Sequence, residues 1–184
     1  MELGLQGKVA LVTGAGSQIG FGKAIALSLA REGCDIAVND VDLGGARKTA
    51  SEVESLGRKA LAIKADVTNS REVADMVNTI LNTFGSLDIL VNNAGACAPP
   101  KPFLKMTEEE WNRDININLN GTMNCTRAVL PHMIEKKIWQ NCQYHFGCWH
   151  QWRVLYRWIC RGKGGCNCIH HGYCQRGCTF KSKC

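Results

Sequence analysis

Apolar and polar positions along residues 1–137 follow two periods, one typical of strands and one typical of helices. Short apolar runs predict buried strands at Lys8–Thr13, Asp35–Asp40, Ala60–Ala65 and Leu87–Asn92. Between them, apolar residues recur at helical spacing over Lys23–Glu32, over Gly45–Leu56 and from Ser70 to about Phe84. Strands that alternate with helices of this length are typical of β-α-β units, so the pattern predicts an α/β fold with a doubly wound parallel sheet.

Polar residues mark the starts of several predicted helices. Ser70 is expected to cap one helix, because its hydroxyl can accept from the free amides of the first turn, while Glu72 suits the positive end of the helix dipole. Thr107 and Glu110 have the spacing of a capping box. A further long helix is predicted over roughly Asn118–Glu135.

Gly14, Gly20 and Gly22 lie between the first predicted strand and the first predicted helix. Ligands of doubly wound sheets bind at the carboxyl ends of the strands, where glycine lets the backbone approach a pyrophosphate and a helix N-terminus offers free amides. Such spacing alone also fits a plain tight turn. The strand before it and the helix after it favour a dinucleotide site.

Asp40 ends the second predicted strand, and no arginine directly follows it. A carboxylate at this position accepts from both ribose hydroxyls of NAD and repels the 2′-phosphate of NADP. We therefore expect NAD rather than NADP, although a solvated turn aspartate is the simpler alternative.

Several motifs occur in order at the intervals of one family. They are Thr13-Gly14 with Gly20-Phe21-Gly22, then Asp66-Val67, Asn92-Asn93-Ala94-Gly95 and Asn118-Leu119-Asn120-Gly121-Thr122. Through these motifs, about residues 5–137 resemble the classical short-chain dehydrogenase/reductase family. The resemblance implies a Rossmann-like sheet and hydride transfer between nicotinamide and an alcohol or carbonyl carbon.

The resemblance also implies a role for each matching residue. Gly14, Ser17, Gln18, Ile19, Gly20 and Gly22 would line the pyrophosphate loop. Asp66 would hydrogen-bond the adenine amino group beside Val67, and Asn93, Ala94 and Gly95 would pack near the adenosine ribose. Asn118 would be the catalytic asparagine that kinks a helix and holds a water in the proton relay, where an ordinary polar helix residue is the alternative.

One departure concerns the phosphate loop. The family motif Thr-Gly-x-x-x-Gly-x-Gly is matched here by TGAGSQIGFG, which we take to be two residues longer, with Gln18 where the middle glycine often stands. We therefore expect a changed loop geometry.

Residues 138–184 differ abruptly in composition from residues 1–137. Up to Lys137 there are 15 Lys and Arg against 16 Asp and Glu, whereas the remainder has 7 basic residues and no acidic one, and 8 of the 11 cysteines. The family's catalytic Tyr-x-x-x-Lys is not found, because Tyr144 is followed by Cys148 and Tyr156 by Cys160. We predict an incomplete domain over 1–137, truncated after the fourth strand and its following helices, and an irregular tail without native domain structure.

A reading-frame slip explains this change. Lysine codons are AAA and AAG, so Lys136-Lys137 marks an adenine-rich run in the gene. With one base removed there, synonymous codons permit Ile138 onward to become Tyr-Gly-Lys-Ile-Val-Asn-Ile-Ile-Ser-Gly-Ala-Gly, and they permit Tyr-Ala-Gly-Ala-Lys across Ile159–Lys163. Every tryptophan codon of the tail then becomes glycine. The hypothesis is that residues 138–184 are a frameshifted continuation of the same family.

Three other interpretations of the tail stay open. Its cysteines and histidines could bind zinc, although their spacing matches no paired CxxC knuckle, so we predict no built metal site; they are Cys166, Cys168, His170, His171, Cys174 and Cys178. A disulfide scaffold fits poorly with the sparse cysteines of residues 1–137. Arginine and tryptophan could contact nucleic acid, but we expect no specific nucleic-acid partner.

We expect a cytoplasmic protein, because the start lacks a signal-peptide pattern and no apolar stretch approaches the roughly 20 residues that span a bilayer. By lineage its partner is a small alcohol or ketone. The chain as written is expected to be catalytically inactive, with an exposed edge on the fourth strand, poor solubility and a disrupted family homo-oligomer. The alternative function is a non-catalytic dinucleotide-binding or interaction fragment.

Overall fold

The computed structural model describes residues 4–97, 102–136 and 141–143. Strands and helices alternate in the order β1 Val9–Val12, α1 Phe21–Arg31, β2 Asp35–Asp40, α2 Leu43–Ser55, β3 Ala60–Lys64, α3 Ser70–Phe84, β4 Ile89–Asn92, α4 Glu108–Ile115, α5 Gly121–Glu135 and β5 Asn141–Gln143. The six cysteines and histidines considered above as zinc ligands lie outside the described residues, as do Tyr144 and Tyr156. No helix within the described ranges is long and apolar enough to cross a membrane.

The strands form one parallel sheet in the order β3-β2-β1-β4-β5. Residue alternation along each strand divides the core in two. Val9 and Leu11 of β1 pack with α3 and α5, whereas Ala10 and Val12 pack with α1 and α2. The predicted α/β class and doubly wound parallel sheet are therefore confirmed.

A short fifth strand lies beside the four strands that the sequence predicts. Asn141–Gln143 pairs in parallel with Leu90–Asn92, so a short fifth strand covers part of the β4 edge. Ladder hydrogen bonds join backbone groups, so an extended segment can satisfy an open edge whatever its side chains.

The start of α3 also differs from the prediction. Asn69, not Ser70, is the N-cap, and its side-chain oxygen accepts from the amides of Arg71 and Glu72. Asn69 has extended backbone angles, which aim its amide oxygen at the first turn, while Ser70 is already helical. The predicted capping box of Thr107 and Glu110 at α4 is confirmed.

Candidate functional site

A cleft of about 830 Å³ opens at the carboxyl ends of the strands. The predicted residues that line it are Gly14, Ser17, Gly20, Gly22, Asp40, Asp66, Val67, Asn93, Ala94 and Gly95. They come from the segments that follow β1, β2, β3 and β4, so the sheet order brings motifs far apart in sequence to one place. This position is where open α/β sheets bind ligands.

Gly14 lets the ends of β1 and β4 approach closely. Its φ is +63°, and a Cβ on it would stand 2.7 Å from Cα of Ala94. Gly22 sits equally tightly, since a Cβ there would stand 2.6 Å from the Gly14 carbonyl oxygen. Side chains at either position would push the loop away from β4.

Hydrogen bonds join these same strand ends. The Thr13 hydroxyl oxygen accepts from the amides of Asn93 at 3.1 Å and Ala94 at 3.0 Å. The side-chain amide of Asn93 donates to the carbonyl oxygens of Thr13 at 2.8 Å and Gly14 at 3.0 Å. The Asn93 side chain thus holds the glycine loop against β4.

The loop has the length of the family motif, so the predicted insertion of two residues was wrong. Helix α1 begins at Phe21 with Gly20 as its N-cap, and Gly22 belongs to the first helical turn. Gly14 and Gly20 therefore occupy the first and last glycine positions of Thr-Gly-x-x-x-Gly-x-Gly, and Gln18 occupies the middle one. Gly20 has no side chain to cap α1, and Gly20, Phe21 and Gly22 at the start of this helix line the cleft.

Gln18 and Ile19 belong to the loop but are not among the residues that line the cleft. The Gln18 amide group turns outward to α2, where it donates to the Gly45 carbonyl oxygen at 3.2 Å. Ile19 is fully exposed. Of the three consecutive loop residues predicted at the pyrophosphate, only Ser17 faces the cleft.

Asp40 links the end of β2 to the glycine loop. One carboxylate oxygen accepts from the Gly16 amide at 2.8 Å, and the other accepts from the Asp42 amide at 3.0 Å. A Cβ on Gly16 would stand 2.8 Å from Cβ of Asp40, so this contact requires glycine. The carboxylate is thereby fixed in the cleft wall beside the loop.

Asp66 is held in a tight turn at the end of β3. Its carboxylate accepts from both the amide and the hydroxyl of Thr68 at 2.8 Å, and its own amide donates to Glu72 at 2.8 Å. Val67 is buried, and its carbonyl oxygen accepts from Asn124 of α5 at 3.0 Å. These bonds fix the cleft wall opposite the glycine loop.

Asn118 lies in a π-helical turn, Asn116–Asn120, between α4 and α5. Its side chain donates to the carbonyl oxygens of Ala96 at 2.6 Å and Asp114 at 2.8 Å and accepts from the Ala96 amide at 3.2 Å. Asn118 is not among the residues that line the cleft, whereas its partner Ala96 and its neighbour Ile117 are. The structure therefore shows the helix irregularity that the resemblance implied, and such turns often mark functional sites.

Sequence reasoning missed one wall of the cleft. Glu109, Asn112, Arg113 and Asn116 line it from α4 and the π turn. The Glu109 backbone amide, followed by the Thr107 hydroxyl, lowers the pKa of the Glu109 carboxyl. The only sequence signal for these four cleft residues is their spacing of three or four positions along the chain. A solvent-exposed helix face has the same spacing.

Known proteins match this arrangement. The sequence model of the short chain dehydrogenase family matches residues 8–138. The chain belongs to this family. Subunit BbsD of the (2S)-((R)-hydroxy(phenyl)methyl)succinyl-CoA dehydrogenase of Thauera aromatica is 42% identical over 135 residues, which are 73% of this chain and 53% of the relative. The 3-oxoacyl-(acyl-carrier-protein) reductase FabG of Staphylococcus aureus strain N315 is 40% identical over 134 residues, or 71% and 52%.

Solved short chain dehydrogenase structures agree with the fold. An NAD+-bound xylitol dehydrogenase superposes with a TM-score of 0.72 at 34% identity, covering 76% of this chain and 53% of that one. A 3-ketoacyl-(acyl-carrier-protein) reductase from Brucella melitensis, complexed with NADH, gives 0.70 at 36% identity, covering 76% and 57%. The chain thus spans about half the length of the relatives it matches.

Proposed function

We propose that this short chain dehydrogenase domain binds NAD in the cleft, and that the chain as written does not turn over an alcohol or ketone. The fixed Asp40 carboxylate, which lines the same cleft as the N-terminus of α1, supports the first part most directly. The missing Tyr-x-x-x-Lys supports the second. Under this proposal the protein is cytoplasmic and its lineage acts on small molecules.

The residues present fit the adenosine half of NAD. The glycine loop and the α1 N-terminus would hold the pyrophosphate through backbone amides. Asp40 would accept from the ribose hydroxyls, and Asp66 with Val67 would contact adenine at the other wall. Ala94 and Gly95 would let the backbone come close to the ribose, because neither has a bulky side chain.

Bound NAD would supply the carbon that accepts or gives hydride, while proton handling belongs to the protein. Asn118 is the one predicted member of the proton relay, and its side chain is engaged with Ala96 and Asp114. A hydroxyl of suitable pKa is needed to give or take the proton on the substrate oxygen. None of the three tyrosines, Tyr144, Tyr156 and Tyr173, has four positions later the lysine that would lower such a pKa.

Charge selection at Asp40 tests the NAD proposal. The full chain should bind NAD at least about tenfold more tightly than NADP, because a carboxylate and a 2′-phosphate repel each other in a partly desolvated cleft. Asp40→Asn keeps an acceptor oxygen but removes the charge. In equilibrium binding, this variant should show a smaller ratio of NAD affinity to NADP affinity than the unmutated chain. Asp42→Asn is the matched control, because its side chain still caps α2 at the Gly44 amide and does not line the cleft.

Equal binding of NAD and NADP by the unmutated chain would contradict the proposed selectivity. Absence of binding to both would contradict dinucleotide binding itself. Turnover is a separate measurement: absorbance at 340 nm with a panel of alcohols and ketones should stay at the background rate. NAD binding without turnover distinguishes the proposed binding fragment from an active dehydrogenase.

A further inference from the structure

Gln18 replaces the middle glycine of the motif in the glycine loop between β1 and α1, which is called the phosphate loop below. Its side chain joins that loop to α2. Its Nε2 atom lies 2.8 Å from the Gly16 carbonyl oxygen, 3.2 Å from that of Gly45 and 3.5 Å from the Thr49 hydroxyl. Its Oε1 atom lies 3.0 Å from Nζ of Lys23. The residue is exposed overall, so the connection runs along the outer surface of the loop.

The chemistry of these partners fixes the orientation of the amide. A lysine ammonium only donates, so the group that faces Lys23 must be the amide oxygen. Carbonyl oxygens only accept, so the group that faces Gly16 and Gly45 must be the amide nitrogen, whose two hydrogens match these two acceptors. Both ends of the Gln18 amide are therefore satisfied in one orientation only.

Further contacts in the same place anchor this connection. Lys23 forms an ion pair with Glu52 of α2 at 2.6 Å, and its side chain is largely buried. The Thr49 hydroxyl donates to the Ala15 carbonyl oxygen at 2.8 Å. Gly45 lies directly against the Gly16 carbonyl oxygen, where a side chain would not fit. Helix α2 thus contacts the phosphate loop at Ala15, Gly16 and Gln18.

We propose that Gln18 is a positioning residue that fixes the phosphate loop against α2 for pyrophosphate binding, an inference that rests on the proposed NAD site. A glycine at this position would have more backbone freedom to lose when the phosphates bind. Gln18 restricts that freedom and adds bonds that hold the Gly16 region in place before binding. Ordering that is complete in the free protein no longer opposes ligand binding.

The proposal predicts that removing the Gln18 side-chain amide weakens only the binding of the phosphate groups. Gln18 does not line the cleft, so its removal should leave contacts to adenine and ribose intact. Gln18→Met keeps the length of the side chain but removes both its donor and its acceptor. Lys48→Met on the exposed face of α2 is the matched control, since it introduces the same residue away from the loop.

Equilibrium dialysis of the full chain with NAD, ADP and adenosine is the binding test. Loss of these hydrogen bonds in Gln18→Met should lower the affinity for NAD and for ADP by roughly three- to tenfold. The affinity for adenosine should change by less than about twofold. Amide hydrogen exchange in the ligand-free protein should become faster at the loop between Gly14 and Gly20 and not elsewhere. Lys48→Met should show neither change, and Gln18→Ala should repeat the result of Gln18→Met.

Three outcomes would overturn the proposal. They are unchanged NAD and ADP affinity in Gln18→Met, an equal loss of adenosine affinity, and unchanged exchange at the loop. If the unmutated chain binds no NAD, the proposed function fails, and the exchange measurement alone decides whether Gln18 positions the loop. The two failures are therefore distinguishable.

Discussion

Thr13 is the residue on which the junction of β1 and β4 depends most. Its hydroxyl accepts from two consecutive amides, those of Asn93 and Ala94, and donates to the Val91 carbonyl oxygen at 3.3 Å. The Thr13 side chain is buried, whereas Asn93 and Ala94 are half-buried. One hydroxyl thus serves three backbone groups beside the proposed cofactor cleft.

Thr13→Val should therefore lower the free energy of unfolding by about 2 kcal/mol, because valine has the same shape but makes none of the three hydrogen bonds, and only the Asn93 amide keeps another acceptor, the Val91 carbonyl oxygen. Urea denaturation followed by circular dichroism measures this change. Thr13→Ser keeps the hydroxyl and should lower the free energy of unfolding by clearly less than Thr13→Val does. Equal stability of the valine and threonine chains would contradict the role assigned to this hydroxyl.

Three cysteines in the described residues differ in environment. Burial raises the pKa of Cys34 to about 11 and that of Cys125 to about 12, while Cys97 is exposed in the loop that follows β4. A thiolate is the reactive form, so iodoacetamide at pH 8 should modify Cys97 long before the other two. Peptide mass spectrometry with and without denaturant measures the order. Fast labelling of Cys125 in the native protein would contradict its burial.

The same burial predicts an alkaline dependence of stability. Cys125 ionises near its ordinary value of 9.0 in the unfolded chain but only near 12 in the folded one. Its contribution to stability is therefore complete below pH 9 and declines as the pH rises toward 12. Urea midpoints between pH 8 and 10.5 should fall less in Cys125→Ser than in the unmutated chain. An equal decline in both chains would contradict this assignment.

At the scale of elements, two substitutions at the N-terminus of α3 test whether Asn69 or Ser70 caps this helix. Asn69→Ala removes the observed cap and should lower the free energy of unfolding by about 1 kcal/mol. Ser70→Ala should change it by less than about 0.5 kcal/mol, because Ser70 is the first helical residue and alanine favours helices. Chemical denaturation of the two variants decides between them. A larger loss at Ser70 would restore the assignment made from sequence.

Periodicity located most elements, and local chemistry outside the pattern explains where it failed. The sequence predicts one helix over Asn118–Glu135, whereas the structure has a π turn at Asn116–Asn120 before α5. Asn118 makes long-range bonds to Ala96, and such contacts cannot be inferred from periodicity. The cleft face of α4 was missed for the same reason. Residues such as Glu109 and Arg113 become part of a cleft only when the loop after β4 is placed against them.

For the whole molecule, the motif residues were predicted to share one site because parallel strands end at one edge of the sheet. Ten of them do line one cleft, although they are spread from Gly14 to Gly95 in the sequence.

The outer edge of β4 was harder to predict. It pairs with Asn141–Gln143, in a segment whose composition suggested no strand. Backbone hydrogen bonding is independent of side-chain type, which is why composition failed there.

The position of β5 bears on the reading-frame hypothesis. In the restored frame, Asn141–Gln143 is replaced by Ile-Val-Asn within Lys-Ile-Val-Asn-Ile-Ile-Ser, a more apolar and β-branched stretch that suits a strand beside β4. The chain as written pairs over only three residues in the same place. A longer apolar strand would cover more of the β4 edge and more of the core on both faces.

Removing one base from the Lys136-Lys137 codons should therefore raise stability and create activity together. Under the reading-frame hypothesis, the corrected chain would gain a serine, a tyrosine and a lysine to which the resemblance assigns proton handling, while the residues that line the cleft, from Gly14 to Ile117, stay unchanged. We expect a cooperative thermal transition at higher temperature and NAD-dependent turnover with at least one alcohol or ketone of a broad panel. The native gene must also yield these residues when its own codons are translated one base out of frame. If that frame encodes no serine, tyrosine and lysine at these positions, the composition of residues 138–184 needs another explanation, while the NAD proposal for the cleft stands unaffected.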